Sequence, residues 1–339
     1  MLKRLVLLCA AAATAAAFAA PAAASNDPYS GKQWGLTKIK AEQSWAYGDG
    51  TGTLVAVVDT GVDLGHPDLA SKLVVFNDAD MVDSKNREND GPMDENGHGT
   101  HVAGIAAAIT NNGVGVAGVA PGAKILPVRV LDEDGSGTTD QVAAGIRYAA
   151  TKDADVINLS LGFLSGAGEV VRVIGGLEPI YDAIDYAHSQ GAVVVVAAGN
   201  DAVPLCAEPS AHPLALCVGA TDSRDNRSWF SNSDSTMTKR FLTAPGGDAL
   251  TCSGDIFSTY LRSEPKSVCT PEAGYEALAG TSMAAPHVAG VAAQLAGKGL
   301  TNTAIENCIL AKADDLGTPG WDPVYGHGRL NALNAVSTC

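Results

Sequence analysis

After its first 20 residues the chain has no apolar run long enough to cross a bilayer, so no membrane span is expected. Cationic surface is scarce too: 22 Lys and Arg face 37 Asp and Glu, a formal net charge of −15. Nucleic acid is therefore excluded as a partner, because phosphate binding needs positive surface. No C-x-x-C pair occurs, which argues against zinc and dithiol redox sites of that kind. Aromatic residues make up 5% of the chain, whereas 38 glycines and abundant alanine suit tight packing of helices on a sheet. Internal repeats and low-complexity linkers are absent beyond the N-terminal segment, so one domain is expected.

That segment reads as a secretory signal over residues 1–24. Lys3 and Arg4 supply the positive end, Leu5 to Ala20 the apolar stretch, and "PAAASND" a small-residue cleavage site at Ala24. Cys9 follows leucine, which does not suit a lipid-attachment site. Residues 25–339, about 315 in number, fall within the range of a single α/β domain. Removing Lys3 and Arg4 from the 22 basic residues leaves 20 against 37 acidic ones, and the formal charge becomes −17. Such an excess of carboxylate suits solubility and cation binding. A secreted, soluble monomer is the expectation.

Six cysteines remain after the signal: Cys206, Cys217, Cys252, Cys269, Cys308 and Cys339. An even number in an exported chain predicts three disulfides. Six cysteines allow 15 pairings, and joining sequence neighbours is the simplest of them. Each such loop stabilises by roughly 3 kcal/mol on the chain-entropy model.

A recurrent unit runs along the chain: a β-branched stretch, a Gly-rich turn, then an Ala-rich helical stretch. "TLVAVVDTG" (53–61), "AKILPVRVLD" (123–132), "ADVINLSLG" (154–162), "GAVVVVAAGN" (191–200) and "LALCVGATD" (214–222) read as strands. Uninterrupted apolar runs mean strands buried on both faces. The expected fold is therefore α/β, with a mostly parallel central sheet flanked by helices on both faces.

Four polar residues share one end of that architecture. Asp59 and Asn200 close strands, while His98 opens "HGTHVAGIAAAI" and Ser282 opens "SMAAPHVAGVAAQL". Carboxyl ends of strands and amino ends of helices lie on one rim of an open α/β sheet, where ligands bind. Ser282 alone reads as a helix N-cap; four independent caps, however, have no reason to share a rim. Chemistry supplies roles for all four. A serine hydroxyl needs a base to take its proton, an imidazole is that base near neutral pH, and a carboxylate holds the imidazole's other nitrogen. The Asn200 amide and the Ser282 backbone N–H can receive the developing oxyanion. Pro286 is expected within the first helical turn, where it displaces no intrahelical hydrogen bond.

The blocks "VVDTGVD", "HGTHVAG", "AAGN" and "GTSMAAPHVAG" resemble those of the subtilisin-like serine proteases, and the chain is most similar to their thermitase branch. The likeness runs from Asp27 to Val336. Its order, Asp then His then Ser, differs from that of α/β-hydrolases, and no G-x-S-x-G is present. The resemblance implies a secreted serine endopeptidase with Asp59, His98 and Ser282 as triad and Asn200 in the oxyanion hole. It leaves His101 and His287 structural. By the same resemblance, Gly135–Ser136–Gly137 and Ser160–Leu161–Gly162 clasp an extended polypeptide through backbone hydrogen bonds. Ala197, Ala198 and Gly199 line a first pocket suited to large apolar side chains. Glu208 departs from the pattern; facing the pocket floor it would favour a basic side chain, and facing solvent it would not.

The resemblance also implies a structural calcium ion. Asp27, Asp68, the Asn112 side chain and the carbonyls of Ile109, Val114 and Val116 match its ligands residue by residue. Such oxygen-rich sets suit a hard cation. The acidic segment 78–97 has carboxylates enough for a second ion or a solvated loop. Only about ten residues separate Ala24 from Trp34, so folding without a propeptide is expected, with a separate inhibitor or chaperone chain as an alternative. A competing reading is a binding protein with an idle cleft, which would need no triad. The acid-active sedolisins replace the His with an acidic residue, so His98 favours a near-neutral to alkaline optimum.

Overall fold

The computed structural model describes residues 25–82, 91–162, 170–172, 176–236, 240–265, 267–270 and 272–339. The expected signal and residues 83–90 of the acidic segment lie outside them. Strands are β1 (Leu54–Asp59), β2 (Lys124–Arg129), β3 (Ser136–Thr138), β4 (Val156–Leu159), β5 (Val170–Arg172), β6 (Val193–Ala197), β7 (Ala215–Thr221), β8 (Phe241–Pro245), β9 (Ile256–Thr259) and β10 (Tyr275–Leu278). Helices are α1 (Trp34–Lys38), α2 (Ala41–Ser44), α3 (His98–Ala107), α4 (Thr139–Thr151), α5 (Glu178–Ser189), α6 (Thr281–Ala296), α7 (Asn302–Lys312) and α8 (Ala332–Thr338).

Six strands form one sheet in the order β2-β1-β4-β6-β7-β8, and every pairing is parallel. The apolar runs explain this arrangement, because both faces of each strand are covered. Val55 and Val57 face the layer that contains α3 and α6, whereas Ala56 and Val58 face α4 and α5. Burying each such valine fully contributes about 1.5–3 kcal/mol. Alanine and glycine let the layers approach closely: a methyl group on Gly290 of α6 would stand 2.5 Å from the Val119 side chain. From β1 the chain runs to one side for β2, then to the other side for β4 and beyond. The order therefore reverses between β1 and β4, and their carboxyl ends open the crevice expected of such a switch point.

The expected α/β architecture is present, with additions. Strand β8 and the antiparallel hairpin β9–β10 are not evident in the sequence, and Ser136 and Gly137 belong to a short strand, β3, paired with β5. Three disulfides, Cys206–Cys217, Cys252–Cys269 and Cys308–Cys339, join sequence neighbours.

Candidate active site

The last residue of β1, Asp59, is fully buried, and its Oδ1 lies 2.7 Å from Nδ1 of His98, the first residue of α3. An imidazole held in this way keeps its proton on Nδ1 and its lone pair on Nε2. Asp94 ties the two elements together. Its carboxylate accepts from the Thr60 hydroxyl, the Asn96 and Gly97 amides, and both the amide and hydroxyl of Thr100. Thr60 in turn donates its amide to Asp59 Oδ1 and accepts the Gly99 amide. One buried carboxylate thus joins the end of β1 to the start of α3. Sequence reasoning misses Asp94, since it sits in an acidic segment that reads as a calcium loop or solvated coil; its place four residues before His98 is the available signal.

Ser282 is the second residue of α6, and Gly280 occupies the cap position without any side-chain cap. The N-cap reading of this serine is therefore wrong. Pro286 also departs from expectation, because it lies in the second turn. A residue there would donate its amide to the Ser282 carbonyl, four positions back, and proline cannot. Ser160, just beyond β4, fills the gap: its hydroxyl donates to the Ser282 carbonyl at 2.8 Å. The Ser282 hydroxyl donates to the Ser160 carbonyl at 3.2 Å. Ser160 Oγ itself accepts from Asn158 Nδ2 at 2.9 Å. The serine is thereby bound to the β4 end of the crevice.

Asn200 meets α6 at its first residue. Its Oδ1 accepts from the amide and hydroxyl of Thr281 at 2.9 and 3.0 Å, which leaves the NH₂ side as donor. A methyl group placed on Gly280 would stand 3.6 Å from both Asn200 Nδ2 and the Ser282 amide nitrogen. Two N–H donors therefore flank one small space beside the nucleophile candidate. First-turn amides have no partner inside their helix, so the Ser282 N–H is available for a ligand.

The other two histidines of α3 and α6 face the protein. His101 Nε2 lies 3.0 Å from the Ile256 carbonyl and 3.1 Å from that of Glu276, and burial with the neighbouring His98 pushes its pKa down to about 3. His287 Nδ1 donates to the Met283 carbonyl at 2.8 Å, and burial pushes its pKa down to about 4. Both stay neutral across the working range of a protease. Just before Asn200, the Ala198 carbonyl accepts the Ala207 amide at 2.8 Å. Glu208 follows, and its carboxylate accepts from the Tyr181 hydroxyl. That bond engages Glu208 with α5. Among the described residues, a methyl group added to Gly162 would have the Glu208 carbonyl oxygen as its nearest neighbour, 3.9 Å away.

Two further carboxylates converge away from the crevice. Asp27 is 2% exposed and Asp68 fully buried. Asp27 accepts the amides of Asn111, Asn112 and Gly113, while Asp68 accepts from Val116 N, Tyr275 Oη and Asn112 Nδ2. Neither has a Lys or Arg partner among the described residues. Burial, with the charge of Asp27 nearby, raises the Asp68 pKa. Two carboxylates brought together in one buried place disfavour double ionisation, and either a proton or a cation would relieve it. Asn112 differs from the expected ligand geometry: its NH₂ faces Asp68 and its Oδ1 accepts from the Val114 amide. As a ligand its amide would turn over. Among the described residues no three His, Cys, Asp or Glu side chains converge on a metal position, so backbone oxygens would complete the set.

No helix of the described residues is long and apolar enough to cross a membrane. The model of the subtilase family matches residues 50–328. Thermitase from Thermoactinomyces vulgaris is 44% identical over 312 residues, which cover 92% of this chain and 98% of that protein. Subtilisin Savinase from Lederbergia lenta is 36% identical, over 89% of this chain and 98% of its own. Among solved structures, a protease from Pseudoalteromonas arctica superposes with a TM-score of 0.76 at 32% identity, covering 93% of this chain and 99% of that one. With the Asp–His pair, the serine on its helix and the matched family model in agreement, the chain belongs to the subtilase family and is a serine endopeptidase that hydrolyses peptide bonds.

Proposed function

We propose that Ser282 is the nucleophile, His98 the general base, Asp59 its orienting carboxylate, and Asn200 with the Ser282 amide the oxyanion hole. The 2.7 Å contact between Asp59 and His98 at the mouth of the β1/β4 crevice carries this reading. The Ser282 hydroxyl gives its proton to His98 Nε2 as its oxygen attacks the scissile carbonyl carbon. The carbonyl oxygen becomes negative and is met by Asn200 Nδ2 and the Ser282 N–H. His98, now cationic beside Asp59, passes the proton to the leaving amine, and the C–N bond breaks. Water then attacks the acyl-enzyme by the same route, with His98 again as base. Replacing Ser282 by Ala is expected to lower kcat by about 10⁴-fold or more and to abolish fluorophosphonate labelling. Undiminished turnover in Ser282→Ala would sink the assignment, and an inert wild type would favour the idle-cleft reading.

Substrates are extended polypeptides bound along Gly135–Gly137 and Ser160–Gly162, with a large apolar side chain against Ala197–Gly199. The Tyr181–Glu208 bond supports the apolar preference over a basic one. A peptide-library digest reads this directly. Calcium is held by Asp27, Asp68, Asn112 and the carbonyls of Ile109, Val114 and Val116; the uncompensated pair of buried carboxylates supports it. When bound, the ion neutralises that pair and braces the loop, with no part in bond cleavage. Residues 1–24 act as a secretory signal and 25–339 as the peptidase domain, consistent with three disulfides. The secreted enzyme is a monomer, regulated where needed by a separate inhibitor or chaperone chain.

A further inference from the structure

Asn200 sits on a sharp turn whose backbone Thr281 holds at one point, its hydroxyl accepting the Gly199 amide at 3.2 Å. Gly199, just before it, has φ +103°, the left-handed region that disfavours a side chain. The space that a side chain would take there is filled: a methyl group on Gly199 would stand 2.5 Å from Asn232 Nδ2. Asn232 is fully buried. Its Nδ2 donates to the Ala198 carbonyl at 3.0 Å, and its Oδ1 accepts the amides of Asp201 and Val203 at 3.0 and 3.2 Å. Its own amide donates to the Gly199 carbonyl at 2.9 Å. One side chain and its backbone thus grip residues 198, 199, 201 and 203, on both sides of Asn200. The neighbours reinforce the grip, as the Ala202 amide donates to the Phe230 carbonyl at 2.8 Å and the Ser233 amide to the Val203 carbonyl at 3.0 Å.

We propose that Asn232 is a positioning residue for the oxyanion hole, acting through the backbone of the 198–203 turn to aim the Asn200 amide. The proposal rests on the role given to Asn200 above. A hydrogen-bond donor serves an oxyanion only if it already points at the place where charge develops. Thr281 fixes the rotation of the Asn200 side chain from the α6 side. Asn232 fixes where that side chain starts. Asparagine meets the need because it presents one donor and one double acceptor in a rigid plane, and the turn offers one carbonyl and two amides in matching order.

The test is a double-mutant cycle on the full chain in excess calcium, with kcat and KM referred to sites titrated by a fluorophosphonate. Asn200→Ala alone is expected to lower kcat by about 10²–10³-fold. Asn232→Ala alone is expected to lower kcat by about 10–100-fold, the scale of a donor misplaced by a fraction of an ångström to an ångström, with KM changed less than about threefold. In the Asn200→Ala background, Asn232→Ala should change kcat by less than about twofold, because the group that it aims has gone. Affinity for a peptide aldehyde, which forms an oxyanion, should fall in parallel with kcat, while that for a product peptide should hold. Asn232→Ser, which keeps a small polar group at the site, runs through the same cycle as a milder variant. Additive losses in the cycle, or an unchanged kcat in both variants of Asn232, overturn the proposal. An unchanged kcat in Asn200→Ala instead removes the oxyanion reading itself.

Discussion

The crevice between β1 and β4 and the loop around Asp27 and Asp68 both bury carboxylates, and they treat them differently. Asp59 faces an imidazole, and Asp94 is met by five donors that stitch two elements together. Around Asp27 and Asp68 the donors are again abundant, yet no Lys or Arg balances the two charges among the described residues. A cationic side chain does lie close to that loop: Lys72 is buried and donates to the Pro121 carbonyl at 2.6 Å, with the Ala108 and Ala120 carbonyls at 3.5 Å. It serves carbonyls and does not reach the carboxylates. The crevice meets its carboxylates with protein groups, whereas the loop is where the calcium ion is proposed. Activity and stability should therefore separate by site.

The largest expected effect breaks the crevice alone. Asp59→Asn keeps the shape but favours the wrong imidazole tautomer, so kcat should fall by about 10⁴-fold with Tm near that of the wild type. A large loss of Tm would mean that the crevice is also a stability element, which would blur the contrast. Next comes the loop. Chelation should lower Tm, by the equivalent of about 2.7 kcal/mol where calcium had stood at 100 times its Kd, while kcat below the transition stays put. Asp68→Asn should erase that calcium-dependent increment, as scanning calorimetry with and without the ion can read. An equal response in Asp68→Asn and wild type would move the ion elsewhere.

A smaller effect sharpens the comparison through pH. Burial lowers the Lys72 pKa to about 7 from the usual 10.5, with Lys124 adding repulsion. Between these values the unfolded chain binds the proton that the folded chain has released, so this group makes stability rise with pH across that window. Wild type should accordingly gain on Lys72→Met from pH 7 to 10 in urea titrations, and a constant gap between them would refute the lowered pKa of the buried amine. Activity has its own pH dependence, independent of the loop. His98 must be neutral to take the Ser282 proton, so kcat/KM should fall as pH drops through its titration. Full activity at pH 3 would contradict the mechanism.

Much of this is visible in the sequence because it is local. Continuous valine runs announce strands covered on both faces, and Asp59, His98, Asn200 and Ser282 each stand where a run begins or ends. The cysteines are paired in the simplest of the 15 ways that the sequence leaves open. What escapes depends on segments that meet only in three dimensions. Ser160 and Ser282 are 122 residues apart, and nothing in either stretch signals that they exchange hydrogen bonds. Arg262, on the connection after β9, forks onto Asp63 across 199 residues at 2.8 Å through both Nε and Nη2. Asp94 is hidden by company: among so many acidic neighbours a single hub looks like one more solvated charge. Hairpin β9–β10 escapes because its strands are only four residues each and mix polar with apolar side chains.

The proline in α6 has a mechanical consequence. A helix ordinarily owns its own carbonyls, so any tilt or fraying of its first turns carries them along. By withholding one amide hydrogen, Pro286 leaves the Ser282 carbonyl to the Ser160 hydroxyl just beyond β4, so the proposed nucleophile is anchored to the sheet as well as to its own helix.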